Sequence, residues 1–206
     1  MSGEKIARIT RVFLVCLICE ALNYICSYIC CDMLHIPLFM DTIFTIAVTF
    51  YYGLVPGLCV GIGFNIISAL TQVGRGYNFD PFSLLFGVCS AIVAIVTWYF
   101  ARKKEEFKIS RAITLLYLVL IAIISSFLVI LTSGMIDFIR FTVLDIPDRI
   151  APVKQFTDSF VDMHFSLLMA SILAQVPVSI TDRLLTTFMG YGVYKSMVYF
   201  LGEEEW

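Results

Sequence analysis

Residues 112–132 form an apolar run without a single charged side chain, and the chain contains several other runs of similar character. About 20 such residues are enough for an α-helix to cross the hydrocarbon core of a bilayer. In lipid, every backbone N–H and C=O must find its partner within the protein, which leaves helices and closed barrels as the only spanning structures. The alternating apolar and polar pattern of a barrel strand is absent, so the expectation is an all-α polytopic membrane protein. Composition agrees. The chain is 60% hydrophobic and 15% charged, against about 25% charged residues in a typical soluble domain, and its mean hydropathy is +0.91. With 206 residues, it suits one integral membrane domain over 1–206 and leaves little room for a separate soluble catalytic domain. A net charge of −2 gives no basis for binding nucleic acid or an anionic surface.

Six spanning helices are expected, near 9–31, 41–52, 56–72, 82–100, 112–132 and 182–201. The first is read as a retained helix and not a cleavable signal, because Glu20 and Asn23 fall where a short hydrophobic signal core would end. The second is short for a span. Pro56 suits the first turn of the third. Lys5, Arg8 and Arg11 precede the first segment, and Arg102, Lys103, Lys104, Lys108 and Arg111 fill the connection after the fourth. Cytoplasmic loops carry the excess of Lys and Arg. This pattern places both termini in the cytoplasm, makes the protein a multi-pass component of the inner (plasma) membrane, and puts 32–40, 73–81 and 134–179 outside. The apolar stretch 165–178 is only about 14 residues long, which fits an external interfacial helix better than a span. The chain ends shortly after its last apolar segment, which favours a transporter component over the input domain of a signalling protein.

The seven cysteines sit mostly inside apolar runs, where Cys behaves as a small hydrophobe. They lack zinc-site spacing, so neither a metal nor any other cofactor is expected. There is no G-x-S-x-G elbow, no P-loop and no paired-histidine motif, so an enzyme is not expected either.

Polar residues at the outer helix ends form a richer set. Asp41 opens the second segment, Asn65 lies deep in the third, and Gln72 ends it. Arg75, Tyr77 and Asn78 follow, and Asp182 and Arg183 open the last segment. A ligand pocket is mostly apolar with a few convergent polar groups, and these eight residues are the expected substrate-binding set. Each also has an ordinary role. Asp41 and Asp182 suit helix N-termini, Arg75 and Arg183 suit headgroup anchoring, and Asn65 suits an interhelical hydrogen bond. Gly53, Gly57 and Gly61 permit close helix packing, either within the hairpin of the second and third segments or against a membrane partner.

Three stretches carry a family resemblance. They are Asp41-Thr42-Ile43-x-Thr45, then Tyr52-Gly53-x-x-Pro56-Gly57-x-x-x-Gly61-x-x-x-Asn65, and finally Ile180-Thr181-Asp182-Arg183-Leu184-Leu185 closing on Val193-Tyr194-Lys195. In order and spacing they resemble the substrate-binding (S) component of energy-coupling factor (ECF) vitamin transporters. The small-residue pattern common in the family's first helix is not matched, and Pro177 stands upstream of the usual proline. The resemblance implies a six-helix membrane protein that captures a small water-soluble vitamin or related micronutrient from outside. It also implies partners: a transmembrane coupling (T) protein and two ATPase subunits, which drive release inward. A membrane sensor or structural partner without transport activity is the alternative.

Overall fold

The computed structural model describes residues 3–74, 80–143 and 151–202. Among them every regular element is a helix. Five are long and apolar enough to cross a membrane. They are α1 (Gly3–Ser27, continued by a π-helical turn Tyr28–Met33), α3 (Leu54–Gly74), α4 (Phe86–Ala101, preceded by a 3-10 turn Pro81–Leu85), α6 (Arg111–Val143) and α8 (Leu167–Leu201). Three shorter helices complete the chain: α2 (Ile43–Tyr52), α5 (Lys104–Ile109) and α7 (Ala151–Asp162).

Helix α2 occupies the centre. Its ten residues rise about 15 Å, half the thickness of a bilayer core. A helix that is apolar all round must be surrounded by protein or lipid. Here protein surrounds it: α1, α3, α4 and α8 all pack on α2, and every residue from Thr45 to Tyr52 is buried. Gly53 ends it at φ 90°, a conformation open to glycine and strained for other residues. The chain then reverses directly into α3.

Helices α6 and α8 make the most extensive pairing in the bundle. Gly134 permits it, because a Cβ there would lie 2.7 Å from the Ile172 Cα. Both helices exceed the sequence-based expectation. Residues 134–143, read as loop, continue α6. Residues 167–178, read as a separate interfacial helix, are the first part of α8, which runs unbroken through Pro177 and Asp182. Proline is tolerated inside membrane helices where side chains and neighbours re-satisfy the freed backbone groups. The carbonyl that Pro177 leaves without its helical donor is that of Leu173; Thr181 Oγ1 separately donates to the Pro177 carbonyl at 2.9 Å. The amphipathic helix of this region is instead α7, which buries Val153 and Thr157 and packs Val153 with Ala174 and Val178 of α8.

The two ends of the bundle differ. At one end, Val12 and Val15 of α1 join Tyr51, Tyr52, Met197 and Val198, and the Tyr51 hydroxyl donates to the Gly202 carbonyl at 2.9 Å. The beginning of α1 and the end of α8 therefore meet. An aromatic cluster closes this end, with Phe107 of α5 edge-on to Phe50 at 5.7 Å and Lys195 over the Tyr191 ring at 5.5 Å. The opposite end gathers the 34–42 connection, the last turns of α3 and α6, the 3-10 turn, α7 and the start of α8.

Candidate functional site

A cavity of about 150 Å³ opens within that second end. A water molecule needs roughly 10–15 Å³ on this measure, so the space suits about ten waters or a solute of similar size. Its wall draws on the π-helical end of α1, the 34–42 connection, α3, α4, α6, α7 and α8. Phe39, Phe64 and Phe86 line it beside the polar groups.

Two buried ion clusters brace this wall. In the first, the Arg183 guanidinium lies 3.3 Å from Asp41 and 3.2 Å from Asp182, and also donates to Thr42 Oγ1 at 2.5 Å. Asp182 in turn accepts from the Met40 backbone N–H at 2.8 Å. Asp182 therefore does not open the last helix. It lies inside α8 and ties that helix to the turn before α2, where Met40 adopts φ 49°. Nor does Asp41 cap α2: the helix starts two residues later, and its carboxylate faces Arg183.

In the second cluster, Arg140 near the end of α6 reaches Asp80 at 2.8 Å and Asp137 at 3.1 Å. The guanidinium also lies 5.7 Å from the Phe86 ring centroid, in reach of a cation–π contact. Asp137 then accepts from Gln175 Nε2 at 2.6 Å, which links α6 to α8. Gln175 is 2% exposed, and its carbonyl oxygen has no hydrogen-bond partner.

Asn65 lies at the cavity floor, 7% exposed. Its amide nitrogen donates to the Gly61 carbonyl at 2.8 Å and to Ser90 Oγ at 2.9 Å. The nitrogen is thus spent on helix contacts while the residue still lines the cavity. A second buried amide, Asn23 of α1, accepts from Phe44 N and donates to Thr45 Oγ1, both at 3.0 Å. It secures the first turn of α2 from behind.

Of the expected substrate-binding residues, Asp41, Asn65, Gln72 and Arg183 line the cavity, and Asp182 braces Arg183 from behind. Arg75, Tyr77 and Asn78 lie outside the described residues. Asp137, Arg140 and Gln175 were missed by sequence reasoning. The available signal was the Asp137-x-x-Arg140 spacing just past an apolar run, which places both side chains on one helical face.

Gly53, Gly57 and Gly61 are all buried. A Cβ on Gly57 would lie 2.0 Å from Thr49 Oγ1, and one on Gly61 would lie 3.0 Å from the Ser90 Cβ. Gly57 and Gly61 seat α3 on α2 and α4, and Gly53 makes the turn between α2 and α3. The outward face of α3 carries Val55, Cys59, Ile62, Ile66 and Leu70.

Among the described residues, no group of three or more His, Cys, Asp or Glu side chains could hold a metal ion. No family model, curated protein or solved structure matches this chain.

Proposed function

We propose that this protein is the membrane-embedded solute-binding subunit of an ATP-driven importer of the ECF type, a six-helix S component that captures a small water-soluble micronutrient. The observation that carries the proposal is the position of the cavity. It opens at the end of the bundle opposite Arg102, Lys103 and Arg111, and its wall joins polar groups from separate helices. If the basic end faces the cytoplasm, as the excess of Lys and Arg favours, the cavity opens to the outside. Intramembrane ionisable residues are costly and generally face a cavity or one another; Arg183, Asp137 and Arg140 do both, and Asp182 pairs with Arg183.

Capture is then the task of the 34–42 connection, α3, α6 and α8. Asp41, Asn65, Gln72 and Arg183 form part of the binding wall, joined by Arg140 and Gln175. The sequence contains no nucleotide-binding motif, so concentrative uptake would draw on a coupling protein and ATPase subunits. Because Gly53, Gly57 and Gly61 are used inside the bundle, such a partner would meet the exposed apolar faces of α1 and α3.

The test is reconstitution. The protein is purified from its native membrane, and its co-purifying proteins and bound small molecules are identified by mass spectrometry. The proposal expects an ATPase-bearing partner complex and a ligand released on denaturation. The purified chain alone, in liposomes, is expected to bind that ligand without concentrating it. Concentrative uptake without partner or ATP would make the protein a secondary carrier. A reproducible signalling partner with no ligand would make it a sensor.

A further inference from the structure

Resting on the solute-binding reading above, we infer that α3 is the recognition helix of the cavity and that it selects an uncharged solute of amide type. Such a solute is a ring compound of about ten heavy atoms, as the cavity volume allows, bearing an N–H donor and a C=O acceptor, as in a carboxamide, lactam or ureide.

Asn65 defines the deep end. The Gly61 carbonyl can only accept, so the Asn65 atom 2.8 Å from it is the amide nitrogen. The same nitrogen donates to Ser90 Oγ at 2.9 Å. Both of its protons are thereby used, and Asn65 Oδ1 has no hydrogen-bond partner among the described residues. What Asn65 offers the cavity is therefore an acceptor alone. It calls for an N–H or O–H on the solute, and neither a carboxylate nor a bare carbonyl supplies one.

Ser68 and Gln72 continue the same face of α3, three and seven residues on from Asn65, and all three line the cavity. Gln72 lies about 10 Å nearer the mouth along the helix. No hydrogen bond among the described residues uses the Ser68 hydroxyl or the Gln72 side-chain amide. The same holds for the hydroxyls of Ser27 from α1 and Ser179 from α8, which line the same space. A side-chain amide carries an acceptor and two donors in one plane, and a hydroxyl both donates and accepts. The matching solute edge is another amide, donor against acceptor. All of these groups are uncharged, so a charged solute seated along α3 would exchange its hydration for dipoles that bring no counter-charge. Phe39, Phe64 and Phe86 line the remainder, which suits a ring body better than a polyol.

The experiment uses the full-length protein in lipid nanodiscs. The probes form a fragment library in which every ring scaffold is present as carboxamide, methyl ketone, carboxylate and amidinium, four groups of nearly the same shape. The ketone keeps the carbonyl and lacks the N–H. The amidinium keeps the N–H groups and lacks the carbonyl. The carboxylate accepts only, and is charged. Amino-substituted scaffolds are included, so zwitterions are represented. Binding is detected by saturation-transfer NMR and quantified by titration. Binding that persists in Ser68→Trp or Gln72→Trp, where an indole fills the cavity, is discounted, each variant being checked for a wild-type unfolding midpoint.

The expected result is that carboxamides predominate among the cavity binders. For the tightest of them, the ketone, carboxylate and amidinium forms should each bind at least about fivefold more weakly, the lower bound for one lost hydrogen bond. Gln72 is only partly buried, and Gln72→Glu should shift the preference toward the amidinium form by at least about tenfold, because the new pair is charge-assisted. A loss of fold weakens all four forms alike and cannot produce that switch. A ketone, carboxylate or amidinium that matches its carboxamide in the wild-type protein, or an unchanged ranking in Gln72→Glu, would overturn the amide inference while leaving a solute cavity in place. Absence of cavity binding by every form of every scaffold would overturn the solute-binding reading itself, and the amide inference with it.

Discussion

Replacing Arg183 by methionine should destabilise the bundle by about 3 kcal/mol. The side chain is 4% exposed, and it faces Asp182 at 0% and Asp41 at 17%. Methionine fills much of the same volume with no charge, so the main effect is electrostatic. Removing one partner of a buried ion pair costs about 3–5 kcal/mol, because the charge left behind has lost its compensation. The lower end applies here: Asp182 keeps its hydrogen bond from the Met40 N–H at 2.8 Å, and Asp41 retains some solvent. About 3 kcal/mol is roughly a 150-fold change in the unfolding equilibrium constant. Arg183→Lys should fall between the two, since one ammonium cannot reproduce the planar fork that reaches both aspartates and Thr42. The assay is unfolding in mixed micelles by increasing mole fraction of dodecyl sulfate, followed by circular dichroism. The double variant Asp182→Asn/Arg183→Met should recover at least about 1 kcal/mol, because residues in one ion network couple non-additively. A wild-type midpoint for Arg183→Met, or strict additivity in the double variant, would show that the cluster does not clamp α8 to the turn before α2.

Further predictions concern packing, topology and an isolated carboxyl group. Gly57→Ala should cost about 1–3 kcal/mol by overpacking against Thr49, and Thr49→Ala in the same chain should restore much of the loss in the micelle assay. Gly192→Ala, where an added Cβ meets nothing within 4 Å, should be neutral or stabilising by up to about 1 kcal/mol, since alanine is the better helix former. Cysteines placed at Ser2 and at Glu204 should react with an impermeant maleimide only after the cells are opened, whereas Cys31 should react in intact cells; labelling of either terminus from outside would reverse or break the topology. Glu20, 9% exposed, lies over Gly63 in the middle of α1, so Glu20→Gln should match or exceed wild-type stability, because a carboxylate at that depth is costly; a clear loss would reveal that the charged form is used.

The all-helical class was legible because it depends on apolar runs; of the six spans expected, five correspond to helices long and apolar enough to cross a membrane, and the second is the short buried α2. Two features were not legible, and both have one cause. Sequence reading treats charged residues and proline as the ends of a membrane helix. In α6, Asp137 and Arg140 follow the apolar run and look like loop, yet their side chains pair with each other and with Asp80, so the helix continues to Val143. In α8, Pro177 and the Asp182-Arg183 pair look like a break and a new start, yet the helix runs on through both and Asp41 accepts the arginine. Partners distant in sequence make polar residues compatible with a continuous buried helix, and no local pattern encodes a partner more than a hundred residues away. The same reasoning explains the mixed result for the site residues. Asp41 and Arg183 were singled out as helix-end polar groups, and each had a bland role as a cap or a headgroup anchor. Neither bland role holds: the two meet each other at the cavity wall, across 142 positions of sequence. Residues expected at separate helix ends instead close one ion cluster, and that cluster positions the 34–42 connection over the cavity.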